Sequence, residues 1–274
     1  MLRWTRLTTA KWEDSWAERL TFLGPDRVAF ITWPNGKTVR IEAFVDEETA
    51  AHLVREFGGK VTKAPLWTGD PAPPRAPLQI RNRLTIFPDL DSFQKWRAGP
   101  RKKPGIFVPA GMAFGTGDHA TTASCLRMLA DLSRELPADW TALDAGTGSG
   151  ILALAARALG AARVEAFDND PACVRITKEN AKLNSISGVK TTRADVTNWQ
   201  PAARHDVVLA NLFSELLIRV IPTLKAAVKP SGHLIFSGVL RDQLDAVTTA
   251  FEFHGFRIHR TVVRGKWSAG HCQL

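Results

Sequence analysis

The chain is most constrained by residues 143–151, Leu-Asp-Ala-Gly-Thr-Gly-Ser-Gly-Ile, which read as a buried strand stopping at a glycine-rich turn that opens a helix. Thr141 to Leu143 and Ala145 bracket a single acid, Asp144, and Ile151 to Leu159 is rich in alanine and leucine, the strongest helix formers. Glycines at 146, 148 and 150 permit positive φ and let a ligand lie against bare backbone. Such a turn, at the carboxyl end of a strand, is where open α/β sheets bind nucleotide-like ligands. A dinucleotide fingerprint needs G-x-G-x-x-G/A. Counted from Gly146, its third small position falls on Ile151, so the spacing is G-x-G-x-G and a dinucleotide is excluded.

The following segments extend the pattern. Arg163 to Phe167 reads as a second strand ending in Asp168-Asn169-Asp170-Pro171. An acid about 20 residues past the glycines, at a strand end, can accept hydrogen bonds from both ribose hydroxyls, and Asp168 is the candidate. Asp170 before Pro171 suits the cap of a helix from Ala172 to Leu183. Asp195 is read as ending a third strand, placed either to receive an adenine amino group or simply to make a turn. Asp206 to Asn211 is a fourth strand, Glu215 to Val228 a helix, His233 to Ser237 a strand and Arg241 to Phe253 a helix. Phe256 to Val263 and Trp267 to Leu274 form a terminal hairpin. The alternation implies an α/β sheet, mostly parallel, with one reversed strand.

The amino-terminal part is organised differently. Leu2 to Leu7, Arg27 to Trp33, Thr38 to Phe44 and Gly59 to Thr62 read as strands, with helices at Ala10 to Leu20 and Asp46 to Phe57. Pro34-Asn35-Gly36 between the second and third strands is a hairpin signal. The order βαββαβ suggests a small ferredoxin-like α+β domain over residues 1–62. Residues 63–77 are too proline-rich for helix or central strand and read as a semi-rigid linker to a larger domain, 78–274, in which Leu84 to Phe87 and Ile106 to Val108 look like extended pieces and Ala123 to Leu136 an amphipathic helix.

Composition narrows the function. The formal charge of +9 invites a nucleic-acid reading, but the cations are dispersed apart from Arg101-Lys102-Lys103, so nucleic acid is not required. Three scattered cysteines argue against a disulfide framework or a zinc site, and no metal is expected. No run approaches the ~20 apolar residues of a membrane span, and the start lacks the apolar core of a signal peptide, which with the scattered cysteines leads to the expectation of a reducing cytoplasm; a monomer is expected there. Tyrosine is absent, which removes it from the catalytic candidates.

Three motifs together resemble the ribosomal protein L11 methyltransferase family: Gly111 to Thr122 (Gly-Met-Ala-Phe-Gly-Thr-Gly-Asp-His-Ala-Thr-Thr), Asp144 to Gly150 with Asp168-Asn169-Asp170-Pro171, and Ala210-Asn211-Leu212. The resemblance implies a seven-stranded Rossmann-like methyltransferase sheet behind a small substrate-recognition domain, and S-adenosyl-L-methionine as cofactor. It carries cofactor contacts onto Thr122, Gly146, Asp168 and Asn211, to which the residue reading adds Gly148 and Asp195. The implied reaction methylates lysine or N-terminal amino groups of ribosomal protein L11. The Asn211 side chain or nearby backbone carbonyls would orient the amine, and Asp118 and His119 would take its proton, although His119 also suits a packed loop and Thr121 or Thr122 a helix cap. This chain has Asp118-His119-Ala120 where the family commonly has Thr-His-Pro, and Thr147 where cysteine is common. Adenine and glutamine methylation need Asn/Asp-Pro-Pro-aromatic, and Asn211-Leu212-Phe213-Ser214 lacks both prolines. The remaining alternatives are a lysine methyltransferase with another protein acceptor and a non-catalytic RNA-associated module. A basic enzyme meeting a basic acceptor also calls for an acidic docking patch, expected around Asp46, Glu47 and Glu48.

Overall fold

Alternating apolar residues in Leu2–Thr9 (β1) and Thr38–Val45 (β3) put Trp4, Ile41 and Ala43 into one core. The computed structural model describes residues 2–20, 23, 27–33, 36–64, 77–87, 89–100, 103–109 and 119–274. By contacts it divides into two units, Met1–Pro73 and Pro74–Leu274. In the first, β1 is followed by a 3-10 turn, Ala10–Trp12, and helix α1, Glu13–Arg19. Strand β2 (Val28–Thr32) pairs with β3, and helix α2 (Glu47–Phe57) leads to β4 (Lys60–Lys63). All pairings are antiparallel, in the order β2-β3-β1-β4. Trp16, Leu20 and Leu53 from the helical segments fill the same core. The hairpin is closed by the Trp33 N–H donating to the Thr38 carbonyl at 2.9 Å, with Gly36 at φ 65°; Pro34 and Asn35 lie outside the described residues. So does most of the expected linker, at 65–76, whereas Lys63 closes β4.

The second unit begins with a small sheet: β5 (Leu78–Ile80), unmarked in the sequence, then β6 (Leu84–Phe87) and β7 (Gly105–Phe107), which fall at the extended pieces expected over Leu84 to Phe87 and Ile106 to Val108, with helix α3 (Leu90–Ala98) between the last two. Helix α4 (Ala120–Leu132) precedes the main alternation: β8 (Thr141–Ala145), α5 (Ile151–Ala158), β9 (Arg163–Asp168), α6 (Pro171–Leu183), β10 (Val189–Arg193), β11 (His205–Asn211) and α7 (Ser214–Ala227). Then come β12 (Val228–Leu240), α8 (Leu244–Phe253), β13 (Arg257–Arg264) and β14 (Trp267–Gln273). The seven strands order as β10-β9-β8-β11-β12-β14-β13, with β14 antiparallel to both neighbours. Within β12 the pairing with β11 jumps from Val228 to His233, so the expected turn at 229–232 survives as an excursion from the ladder.

Period-two alternation sends Ala142 and Leu209 to the face covered by α4 and α5, and Leu143 and Val208 to the face covered by α7 and α8. Strand order reverses between β8 and β11, which opens a crevice at their carboxyl ends. Of the boundaries that differ from the sequence reading, two bear on the crevice. β10 stops at Arg193, two residues before Asp195, because its partner β9 ends at Asp168 and offers no further rung. α4 starts at Ala120 rather than Ala123, because His119 supplies the cap. Cys125 and Cys272 are buried free thiols and Cys173 is half-buried. Among the described residues no helix is long and apolar enough to cross a membrane, and no cluster fit to hold a metal ion is found.

Away from that crevice three imidazoles meet on β12, β13 and β14. His271 Nε2 lies 3.1 Å from His233 Nδ1, and His259 stacks on His271 with ring centroids 5.3 Å apart. Burial and then the two neighbouring imidazoles push His271 down from 6.5 to about 4. The unfolded chain therefore binds this proton more readily, and the resulting stability is present above pH 6.5 and lost as pH falls toward about 4. His271→Gln is expected to flatten that part of the pH dependence of the urea midpoint; an unchanged slope between pH 4 and 6.5 would disprove the assignment.

Candidate active site

The glycine turn is a built structure. Gly146, Gly148 and Gly150 take φ of 75°, 54° and 84°, a run that side chains with a Cβ adopt at a cost of roughly 1–2 kcal/mol each. The Gly146 and Thr147 amides donate to the Phe167 carbonyl at 2.9 and 3.0 Å, anchoring the turn to β9. From α6, Thr177 donates to the Gly148 carbonyl at 3.1 Å and Asn180 to the Ser149 carbonyl at 2.8 Å. A Cβ at Gly150 would stand 2.8 Å from Thr177 Cγ2.

Asp144 has a role that sequence reasoning missed. Gly150 is the N-cap of α5 and has no side chain to satisfy the first helical amides. Asp144 Oδ2 does so from below, accepting from the Ala153 N–H at 3.1 Å and from the Thr147 hydroxyl at 2.7 Å. The carboxyl is 1 % exposed and Oδ1 has no partner, so burial raises its pKa to about 6 despite both donors.

Asp168 closes the other side of the turn. Its Oδ2 accepts from the Gly148 N–H at 2.9 Å and its Oδ1 from the Asp170 N–H at 3.0 Å. Asp170 caps α6 through the Ala172 N–H at 2.7 Å, with Pro171 in the first turn. Asp195 is exposed, and its Oδ1 takes the Thr197 N–H at 2.9 Å and hydroxyl at 2.8 Å, which holds its carboxyl below the usual range. The turn-making role is thus present, and it leaves the other carboxylate oxygen out of those bonds.

On the opposite side of the crevice Asn211 ends β11, and its Nδ2 donates to Thr121 Oγ1 at 3.4 Å. Thr121 Oγ1 is 2.7 Å from His119 Nδ1, and the His119 ring meets Trp267 edge-on at 5.3 Å. Both threonines lie inside the first turn of α4; neither is its cap. Thr122 is 1 % exposed, and its hydroxyl has no hydrogen-bond partner among the described residues. Leu212, next to Asn211, is wedged between two glycines: a Cβ at Gly146 would fall 2.7 Å from its Cδ2, and one at Gly238 would fall 2.4 Å from its carbonyl oxygen. His119, Thr121 and Asn211 form one network, and Gly146, Gly148 and Asp168 another, joined through Leu212. Asp195 stands outside both, and Asp118 lies outside the described residues.

Electrostatics distinguish this crevice from a second cleft of about 530 Å³ beside Ala120 and Trp267. Arg127, Arg264 and Lys266 line that cleft, and Arg127 is pushed down by burial and by Arg264. A cationic ligand is repelled there and favoured beside Asp144 and Asp168.

The sheet order with this turn at its switch point defines the α/β methyltransferase fold. Residues 65–273 match the family described as ribosomal protein L11 methyltransferase (PrmA). A relative of that name from Heliobacterium modesticaldum is 39% identical over 194 residues, 70% of this chain and 59% of the relative. One from Bordetella bronchiseptica is 40% identical over 186 residues, 64% of this chain and 56% of the relative. The crystal structure of a ribosomal protein L11 methylase from Lactobacillus delbrueckii subsp. bulgaricus superposes with a TM-score of 0.62 at 28% identity, covering 72% of this chain and 98% of that one. The chain belongs to the ribosomal protein L11 methyltransferase family. It spans about three fifths of the length of the curated relatives it matches.

Asp144 gives a test of the turn's construction. Its folded pKa, about 6, lies above the 3.8 of an ordinary aspartate, so its neutral form favours folding, and that contribution is lost as pH rises through about 6. Measured by urea unfolding, Asp144→Asn should gain about 2–3 kcal/mol relative to wild type between pH 4 and pH 8. A constant difference across that range would contradict the buried, raised carboxyl.

Proposed function

We propose that this chain transfers methyl groups from S-adenosyl-L-methionine to lysine or N-terminal amino groups of ribosomal protein L11. The observation that carries the reading is the match of residues 65–273 to that family, coinciding with a crevice that has a glycine turn on one side and Asn211 on the other. The residues suit the cofactor: bare backbone at Gly146 and Gly148 admits close approach, Asp168 stands at the strand end to accept ribose hydroxyls, and the buried Thr122 hydroxyl has no partner among the described residues. Asp195 is assigned the adenine amino group and Asn211 a second contact to the cofactor. Bound there, S-adenosyl-L-methionine supplies an electrophilic methyl on a sulfonium, and its positive charge complements Asp144 and Asp168.

The chain's own work is then alignment and exclusion of water. An amine attacks only when neutral, and a cationic neighbour in a crevice lowers its pKa. Asn211 accepts one of its hydrogens and directs the lone pair. His119 belongs to the network that orients Asn211, while Asp118 is assigned as proton acceptor by its place in the sequence alone.

The order β2-β3-β1-β4 with two helices supports reading the first unit as a ferredoxin-like substrate-recognition domain at 1–62, joined by a linker at 63–77 to a catalytic domain at 78–274. Exposed Asp46, Glu47 and Glu48 on α2 are assigned to docking of the basic acceptor. A cytoplasmic monomer, needing neither membrane nor nucleic acid, completes the proposal.

Incubation with methyl-labelled cofactor and a lysate lacking the endogenous enzyme should label L11, with mass spectrometry locating the amines. Label in RNA or in another protein would overturn the substrate, and no calorimetric heat with the cofactor would overturn the enzyme. Asp168→Asn should weaken cofactor binding about 10- to 100-fold through loss of charge-assisted hydrogen bonds.

A further inference from the structure

The first turn of α4 and the end of β11 are joined by polar contacts whose direction can be read. His119 caps α4 by accepting the Thr121 N–H at Nδ1, at 3.4 Å, so in the neutral ring that nitrogen is bare and the proton sits on Nε2. Thr121 Oγ1 lies 2.7 Å from the same nitrogen. Two acceptors do not bond, so the hydroxyl donates to Nδ1 and turns its lone pairs elsewhere. Asn211 must meet those lone pairs with Nδ2, as it does at 3.4 Å. Its Oδ1 is thereby turned away from Thr121 and makes no hydrogen bond among the described residues. Thr121 is 2 % exposed, which leaves little room for water to substitute for it.

We propose that Thr121 is a positioning residue that sets which end of the Asn211 amide faces the acceptor, acting under the control of His119 Nδ1. This rests on the amine-methylation reading. An attacking amine must keep its lone pair free while its N–H groups are held. An amide presenting oxygen accepts from an N–H and leaves the lone pair available; a flipped amide presents NH2 and occupies the lone pair that has to attack. Asn211 therefore serves only in one of its two orientations, and the Thr121 hydroxyl selects it. His119 contributes its single basic nitrogen to this network, so it works through Thr121 rather than by receiving the substrate proton.

The test compares Thr121→Val, which keeps the shape and removes the hydroxyl, with Thr121→Ser, which keeps the hydroxyl. On a purified L11 acceptor, Val should lower kcat about 10- to 100-fold, with acceptor KM and cofactor Kd within about twofold, and Ser should restore kcat to within about threefold of wild type. In the cofactor-free protein the Asn211 side-chain amide NMR signals should show a protected N–H in wild type and Ser, lost in Val. Wild-type kcat in the Val variant, failure of Ser to rescue, or amide signals indifferent to the hydroxyl would each overturn the role. Should wild type transfer no methyl group, the function reading falls separately, and the amide signals still decide whether Thr121 orients Asn211.

Discussion

The crevice depends on one carboxylate that no ligand need touch. Asp144 closes β8 from within and takes the third amide of α5, where a capping side chain would ordinarily stand. This lets the cap position be Gly150, and with it three positive-φ glycines can follow one another along the crevice. A serine or aspartate at the cap would satisfy the helix but place side-chain atoms against Thr177. Moving the acceptor below the turn separates two demands that usually fall on one residue. The cost is a desolvated carboxyl with an unpartnered oxygen, visible as a pKa near 6.

Leu212 ties the two sides of the crevice together. Gly146 belongs to the turn after β8 and Gly238 to β12, yet both lack a Cβ where Leu212 passes. The side chain fills one gap and the backbone fits the other, which fixes the position from which Asn211 leaves β11. Thr121 then fixes the amide's orientation. Position comes from packing, and orientation from hydrogen bonding.

What the sequence disclosed follows from how local each signal is. The glycine turn, Asp168 at the end of β9, the Asp170-Pro171 cap and Asn211 at the end of β11 are written in consecutive residues and reappear where expected. The mostly parallel sheet with its reversed strand was legible from the alternation of strands and helices around apolar runs such as β8 and β11, while the count of seven came with the family resemblance. One short strand was not legible: β5 has three residues, too few for periodicity to show, whereas β6 and β7 stand where extended pieces were expected. Helix α3 carried its signal in Asp89, whose carboxylate accepts the Ser92 N–H at 2.7 Å, and in the Asp91–Lys95 pair one turn apart. The end of β10 could not be read from its own residues, since its partner strand decides it. The link from His119 through Thr121 to Asn211 spans α4 and β11, and no spacing rule connects residues so far apart in the chain.

The placement of β14 between β12 and β13 has a consequence for assembly. Trp267 opens β14 and touches His119, while the glycine turn comes from β8 and the amide from β11. The hydrogen bonds of the glycine turn come from β8, β9, α5 and α6, elements close together in the chain. The orienting network joins α4 to β11 and, through Trp267, to β14, elements far apart in the chain. The cradle is therefore a local construction, whereas reactive alignment is a property of the whole sheet.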